Sequence, residues 1–382
     1  MKPRYDILDG LRGVAAICVL ISHLFEAIAF ANGDAEQNCF HGFLAVDFFF
    51  ILSGFVMSYA YDDRWRMRTY LKEGSTDGMG IWDFCKRRLI RLHPMVVVGV
   101  LFGVLAFCIQ GCTKWDGSQV SWSMLLVGTL LSLCMIPAPA NLDVRGNTEI
   151  FPLNGPHWSL FFEYLGSILY AVLLVRMSTK VLRWWVTIAA FVLMLFVFTL
   201  GEGFIGNGWS SEPSNLLGGA LRLLFAYPMG MLLARKFREE KPSTTSLPAF
   251  LISAVVLVVL LSVPSISTLS GWAHANTWYQ LLCVTVFFPM LVYFGARGAV
   301  SGKQKAVVGY LGRLSYPLYA IHYPLIYLYI HWINTDQHPF GPYAWSTPVA
   351  LFIIAIVLAT VLVKYYDEPV RNWLNGADPL RP

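Results

Sequence analysis

Several apolar runs in this chain reach about 18 residues or more, the length an α-helix needs to cross roughly 30 Å of hydrocarbon. Composition agrees with that reading. Only 13% of the 382 residues are charged and 56% are hydrophobic. A soluble domain carries roughly 25% charged residues. So few charges cannot keep a compact protein of this size in water, and lipid must be the solvent for much of it. No long polar block remains for a second domain. The sequence predicts one membrane domain over residues 1–375 and a short cytoplasmic tail, 376–382.

The expected architecture is all-α, a polytopic transmembrane helix bundle. Ten spans are expected, close to 11–30, 43–61, 94–110, 157–176, 184–200, 216–234, 247–264, 277–295, 314–333 and 347–364. One further apolar stretch, 122–136, is ambiguous. Cytoplasmic loops carry an excess of Lys and Arg, and the cations here cluster accordingly. Lys2, Arg4 and Arg12 precede the first span, and eight cations lie between Asp62 and His93. Other connections, such as 31–42 and 201–215, carry almost none. The two kinds alternate only if 122–136 does not cross. That arrangement puts both termini in the cytoplasm and makes the short stretch re-entrant or packed at the outer face. The net charge of +5 is thus a topology signal, and it carries no indication of nucleic-acid binding. The first apolar run lacks a small-residue cleavage site and reads as a retained span. The seven Cys include no CxxC pair, and the eight His form no ligand pair, so no metal is expected. Cys108 and Cys112, one turn apart, would reach each other for a disulfide, but packing as small apolar residues is the simpler expectation.

A charged group in the membrane interior is costly and is by default a candidate functional residue. Arg12 and His23 are eleven residues apart, about 20° past three full helical turns and about 16 Å in rise, so they share one face. Glu26 continues that stripe. Imidazole suits proton transfer near neutral pH; the plainer reading of His23 is a packed helix–helix contact. Asp47 enters the second span from the outer side and needs a partner. Ser53 and Gly54 read as a close helix approach. Arg88 and Arg91 share a face at the entry of the third span, where two guanidiniums suit phosphate; positive-inside topology alone would also explain them. Trp158 reads as an interface anchor, and Glu163 lies deeper in the same span. Tyr319 and His322 lie between Pro317 and Pro324, which implies a cavity-lining helix. Ser53, Trp158, Tyr319 and His322 are the candidate cavity-lining residues. The run Asp367-Glu368-Pro369-Val370-Arg371 reads as a helix stop.

Five blocks together resemble the acyltransferase-3 family of membrane acyltransferases, which includes bacterial O-antigen and exopolysaccharide O-acetyltransferases. They are Leu8-Asp9-Gly10-Leu11-Arg12-Gly13 leading to His23; Val46-Asp47 through Phe55; Arg87-Arg88-Leu89-Ile90-Arg91-Leu92-His93-Pro94; Trp158-Ser159-Leu160-Phe161-Phe162-Glu163; and Leu311 through His322. The resemblance implies a ten-helix membrane fold in the bacterial inner membrane. It implies acyl-CoA, with acetyl-CoA the expected form, as donor rather than a tightly bound cofactor, and a carbohydrate-like acceptor. It implies a catalytic His23 paired with the basic Arg12, and acyl-CoA engagement by Arg88 and Arg91; Arg12 is a further expected contact of the acyl-CoA phosphates. Many relatives carry a fused extracytoplasmic domain; this chain reads as the stand-alone form, or one served by a separate extracytoplasmic transferase partner.

The expected mechanism places phosphates at Arg88 and Arg91, with the pantetheine arm rising toward His23. Glu26, Asp47 or Glu163 would orient the imidazole, which acts as a base or as a transient acyl carrier. A transporter or flippase of lipid-linked sugars explains the spans equally well, but not the Arg88-x-x-Arg91 pair, and no inverted repeat supports it.

Overall fold

A computed structural model describes residues 5–31, 40–70, 79–237, 247–266, 272, 274–300, 302–336 and 346–376. The expected tail past 376, and parts of the charge-sorted connections at 32–39, 71–78, 238–246, 267–271 and 337–345, lie outside them. Among the described residues there are helices and isolated β-bridges but no strand. The helices are α1 (Asp6–Ala31), α2 (Ala45–Tyr70), α3 (Ile81–Ile109), α4 (Trp122–Leu133), α5 (His157–Val172), α6 (Thr179–Thr199), α7 (Pro213–Lys236) and α8 (Leu247–Leu261). Next comes α9 (His274–Leu282), which passes through a π turn into α10 (Phe288–Arg297). Then follow α11 (Gly302–Asp336) and α12 (Ser346–Leu362), which continues through a second π turn into α13 (Glu368–Leu374).

Seven helical segments are long and apolar enough to cross a membrane, and the chain is a multi-pass membrane protein. The outermost helices turn bulky apolar side chains outward, among them Phe191 on α6, Val259 on α8 and Ile353 on α12. Such a surface is stable only against lipid.

The direction of α5 bears on the ambiguous stretch. Arg88 of α3 bonds Ser167 of α5, whereas Gly99 and Gly103 of α3 lie against His157 and Leu153. The two helices therefore run antiparallel, and the chain between them makes no net crossing. At 12 residues α4 is about 18 Å long, well short of a bilayer's hydrocarbon. The third helix begins at Ile81, thirteen residues before the expected start at Pro94. Its cationic first turns bury Phe84, Arg88 and Leu92, at i, i+4 and i+8, against the bundle.

Two buried ion pairs join α2 to α7. Asp47 receives Nε and Nη2 of Arg222 at 3.0 and 2.7 Å, and Asp62 receives Nε of Arg235 at 3.0 Å. The order of the two pairs makes α2 and α7 parallel. Between them, Gly54 meets the backbone of Tyr227 and Gly230 meets that of Ile51. This is the packing expected for Ser53-Gly54.

Prolines inside helices remove one N–H and free the carbonyl four residues earlier. In lipid that carbonyl needs another donor. Pro228 frees Leu224, whose oxygen takes the Trp185 indole N–H at 3.0 Å. Pro324 frees Ala320, whose oxygen takes the Asn154 amide at 2.7 Å. Cys108 and Cys112 are free thiols.

A Cβ at Gly54 or at Gly230 would lie 1.9 Å from a backbone oxygen of the facing helix. Gly54→Ala and Gly230→Ala are each expected to cost at least about 2 kcal/mol by forcing the helices apart. Gly309→Ala, where an added Cβ meets nothing, is the control and should leave the unfolding midpoint in detergent unlowered.

Candidate active site

A cavity of about 730 Å³ opens between the first turns of α1 and α3, α2 from Val46 to Tyr61, α5, α11 and the α12–α13 junction. Its size lies within the range of about 300–1,000 Å³ typical of ligand pockets. Arg12, Ser53, Arg88, Arg91, Glu163 and Tyr319 all contribute to its wall. The close seating of α1 on α11 builds this corner: a Cβ at Gly13 would lie 2.3 Å from the Leu311 carbonyl.

The charges on the wall do not cancel. Six arginines face four carboxylates. Asp9 lies 3.5 Å from Arg12, Glu163 2.7 Å from Arg88, Asp367 2.7 Å from Arg371 and Glu368 3.8 Å from Arg313. Among the described residues, Arg87 and Arg91 have no carboxylate partner, and both are exposed. The cavity is therefore built for an anion. The two arginines of the Arg88-x-x-Arg91 motif have separate fates. Arg88 is buried; its Nη2 is held by Glu163, which also accepts from Ser53 at 3.0 Å, and its Nε by Ser167 at 3.1 Å. A guanidinium so engaged is a wall element, while Arg91 presents its charge to the cavity.

At the deep end the Ser159 and Tyr319 hydroxyls meet at 2.7 Å, with Phe49 packed edge-on to Tyr319 at 5.7 Å. His23 does not line the cavity; it lies beyond this closure, behind His322. Its Nδ1 is 2.6 Å from a Glu26 oxygen, and Ser22 supports the other oxygen at 3.4 Å. A carboxylate acceptor fixes the proton on Nδ1 and leaves Nε2 as the basic nitrogen. Both side chains keep 19% of their surface accessible. His322 stacks on His23 at 5.4 Å, with its Nδ1 against the Leu318 and Tyr319 carbonyls at 3.2 and 2.9 Å. Carbonyls only accept, so His322 too carries its proton on Nδ1.

Three sequence expectations are revised here. The carboxylate that orients His23 is Glu26; Asp47 is committed to Arg222 and Glu163 to Arg88. Trp158 is no interface anchor and no cavity wall: it is buried, with the Arg222 guanidinium 5.1 Å above its ring. Asp367-Glu368-Pro369-Val370-Arg371 does not stop the helix. A π turn carries it on, and Asp367, Glu368 and Arg371 join the cavity wall. The missed partner Arg222 was visible as the one charge inside the apolar run 216–234.

The chain matches a family described as an acyltransferase domain over residues 5–365. It is 25% identical to the acyltransferase MdmB of Streptomyces mycarofaciens, across 99% of this chain and 94% of that protein. It is 33% identical to protein 2 in the picA locus of Rhizobium radiobacter, across 50% of this chain and 94% of that one. A Staphylococcus aureus protein that carries the name "putative O-acetyltransferase" is 24% identical across 97% of this chain, which spans 59% of that protein's length. No solved structure matches.

Glu149, in the connection before α5, is pushed up to about 7 by burial and the nearby Asp143, against the opposing pull of Tyr327, Arg145 and Asn147. An unfolded Glu titrates near 4.3. Between those values the folded protein holds a proton that the unfolded chain has released, so stability falls as pH rises through that window. The unfolding midpoint in detergent should drop from about pH 5 to about pH 7, and Glu149→Gln should flatten that part of the profile.

Proposed function

The chain belongs to the acyltransferase family whose domain it matches over residues 5–365, and from that premise we propose an O-acyltransferase that takes an acyl group from cytoplasmic acyl-CoA. The acyl group is acetyl, and the acceptor is a hydroxyl of a carbohydrate or carbohydrate-containing molecule on the opposite side of the bacterial inner membrane. In this reading the chain has ten spans and both termini are cytoplasmic. The observation that carries it is the pairing of wall charges that leaves Arg87 and Arg91 as surplus cations in one deep cavity.

The phosphates of the donor lie against Arg91 and Arg87, with Arg12 and Arg371 beside them. The pantetheine arm runs along α2 and α11 to the point where Ser159 and Tyr319 meet. These hydroxyls part to admit the thioester to His23. Nε2 of His23 then takes the proton of the acceptor hydroxyl as its oxygen attacks the thioester carbonyl. The C–S bond breaks, and the imidazolium returns the proton to the leaving thiolate. Glu26 holds the ring in its tautomer and stabilises the imidazolium. Arg88 and Glu163 keep the cavity wall in shape.

His23→Ala should lower acetyl transfer from acetyl-CoA about 10²–10⁴-fold at equal membrane levels, with acetyl-CoA still bound. Arg91→Ala should instead weaken acetyl-CoA binding about tenfold or more, the worth of one charge-assisted hydrogen bond. Full transfer by a folded His23→Ala protein would remove the imidazole from the chemistry. An Arg91→Ala protein that binds acetyl-CoA as the wild type does would move the donor elsewhere. Movement of a lipid-linked sugar without any acetyl-CoA binding would favour a transporter.

A further inference from the structure

Beyond His23, away from the basic cavity, aromatic rings continue outward in an unbroken series. Tyr323 lies edge-on to His23 at 4.9 Å and to Tyr327 at 4.7 Å. Trp115 is 6.2 Å from Tyr327 and 5.9 Å from Phe30. These rings come from the end of α1, the connection after α3 and the far half of α11. Phe30 is seven residues past His23 on α1, on the same face and about 10 Å further along the axis. Phe30, Trp115 and Tyr323 are each only partly buried.

The series is held firmly. Trp115 sits in a tight turn closed by Lys114 N–H to the Ser118 carbonyl at 2.9 Å and Val120 N–H to the Cys112 carbonyl at 3.0 Å. Its own N–H donates to the Arg145 carbonyl at 3.1 Å. The Arg145 side chain is 1% exposed. Its guanidinium lies 3.4 Å over Tyr327 and 5.4 Å from Trp115. Nε and Nη1 are taken by the Pro152 carbonyl at 2.6 Å and Gln110 at 2.9 Å, while Nη2 is buried with no partner. The Tyr327 hydroxyl donates to Glu149.

Burying an arginine costs several kcal/mol even when it is paired, so a packing role alone is poorly served by this arrangement. A rigid, partly exposed aromatic face flanked by carboxylates suits a neutral polyhydroxylated ring. The polarised C–H bonds of a pyranose rest on the negative π face, and its hydroxyls donate to carboxylates such as Glu26. A lipid tail would gain nothing from the polar groups. We infer that Trp115, with Phe30 and Tyr323, forms a sugar-ring subsite that delivers an acceptor hydroxyl to Nε2 of His23. This subsite rests on the acyltransferase reading and names the acceptor class of that same site.

The test uses the full-length protein in detergent, with saturation-transfer NMR against methyl glycosides of glucose, galactose, mannose, rhamnose and N-acetylglucosamine. Acetyl-CoA binding is measured on the same samples. The wild type should pass saturation to ring C–H protons of at least one glycoside. Trp115→Ala should weaken that binding about tenfold, as expected for loss of a stacking contact of about 1.4 kcal/mol. Trp115→Phe should largely restore it, and both variants should bind acetyl-CoA as the wild type does. Acetyl-CoA binding with no glycoside bound, or a Trp115→Ala protein that binds glycoside normally, overturns the subsite and leaves the donor reading in place. Trp115-dependent glycoside binding without acetyl-CoA binding upholds the subsite and overturns the donor reading.

Discussion

Arg222 and Asp47 meet where neither reaches water, and the rest of the bundle is arranged around such encounters. In lipid a lone charge is costly, and these buried ions bring their counter-ions. Asp47–Arg222 and Asp62–Arg235 hold α2 parallel to α7 at both ends of a glycine contact. Arg88–Glu163 holds α3 antiparallel to α5. The same requirement governs backbone carbonyls, and Trp185 and Asn154 take up those that Pro228 and Pro324 release. Polar side chains in this membrane domain are therefore first of all joints.

Against that background a charge without a partner is informative. Each carboxylate on the cavity wall is matched by an arginine, and the exposed Arg87 and Arg91 are left over. A surplus cation within low-dielectric walls raises the local potential for an anionic ligand. His23 belongs to a different compartment. It is polarised by Glu26 and separated from the cavity by the Ser159–Tyr319 contact. In the proposed reaction the two compartments would receive the two substrates, an anionic donor and a neutral acceptor.

Much of this was legible in the sequence, because lipid imposes strong and simple rules. Apolar run length located the helices, and sorting of cations between connections kept 122–136 from crossing, as the antiparallel course of α5 requires. The helical spacing of Arg12, His23 and Glu26 put them on one face. What the sequence left open was which charge meets which. Asp47, Glu163 and Glu26 looked equivalent as companions for His23, since each was a carboxylate within an apolar run. Only the packing of α7 and α3 assigns the first two to arginines. Arg371 was hidden for a related reason: Pro369 reads as a helix stop, yet a π turn carries the helix on and Pro369 falls in the first turn of α13, a position proline tolerates. Arg145 and Trp115 lie in a connection with no periodicity to read, and only the fold brings them beside α11.

The most direct test of a donor cavity separated from its base is a structure of the protein in lipid nanodiscs with a non-hydrolysable acetyl-CoA analogue. The expected result is phosphates against Arg91 and Arg87, the Ser159 and Tyr319 hydroxyls parted, and the acyl carbon within about 3.5 Å of the acceptor position beside His23 Nε2, as a near-attack geometry requires. An analogue bound outside this cavity, or one whose acyl end stops short of an intact Ser159–Tyr319 contact, would contradict it.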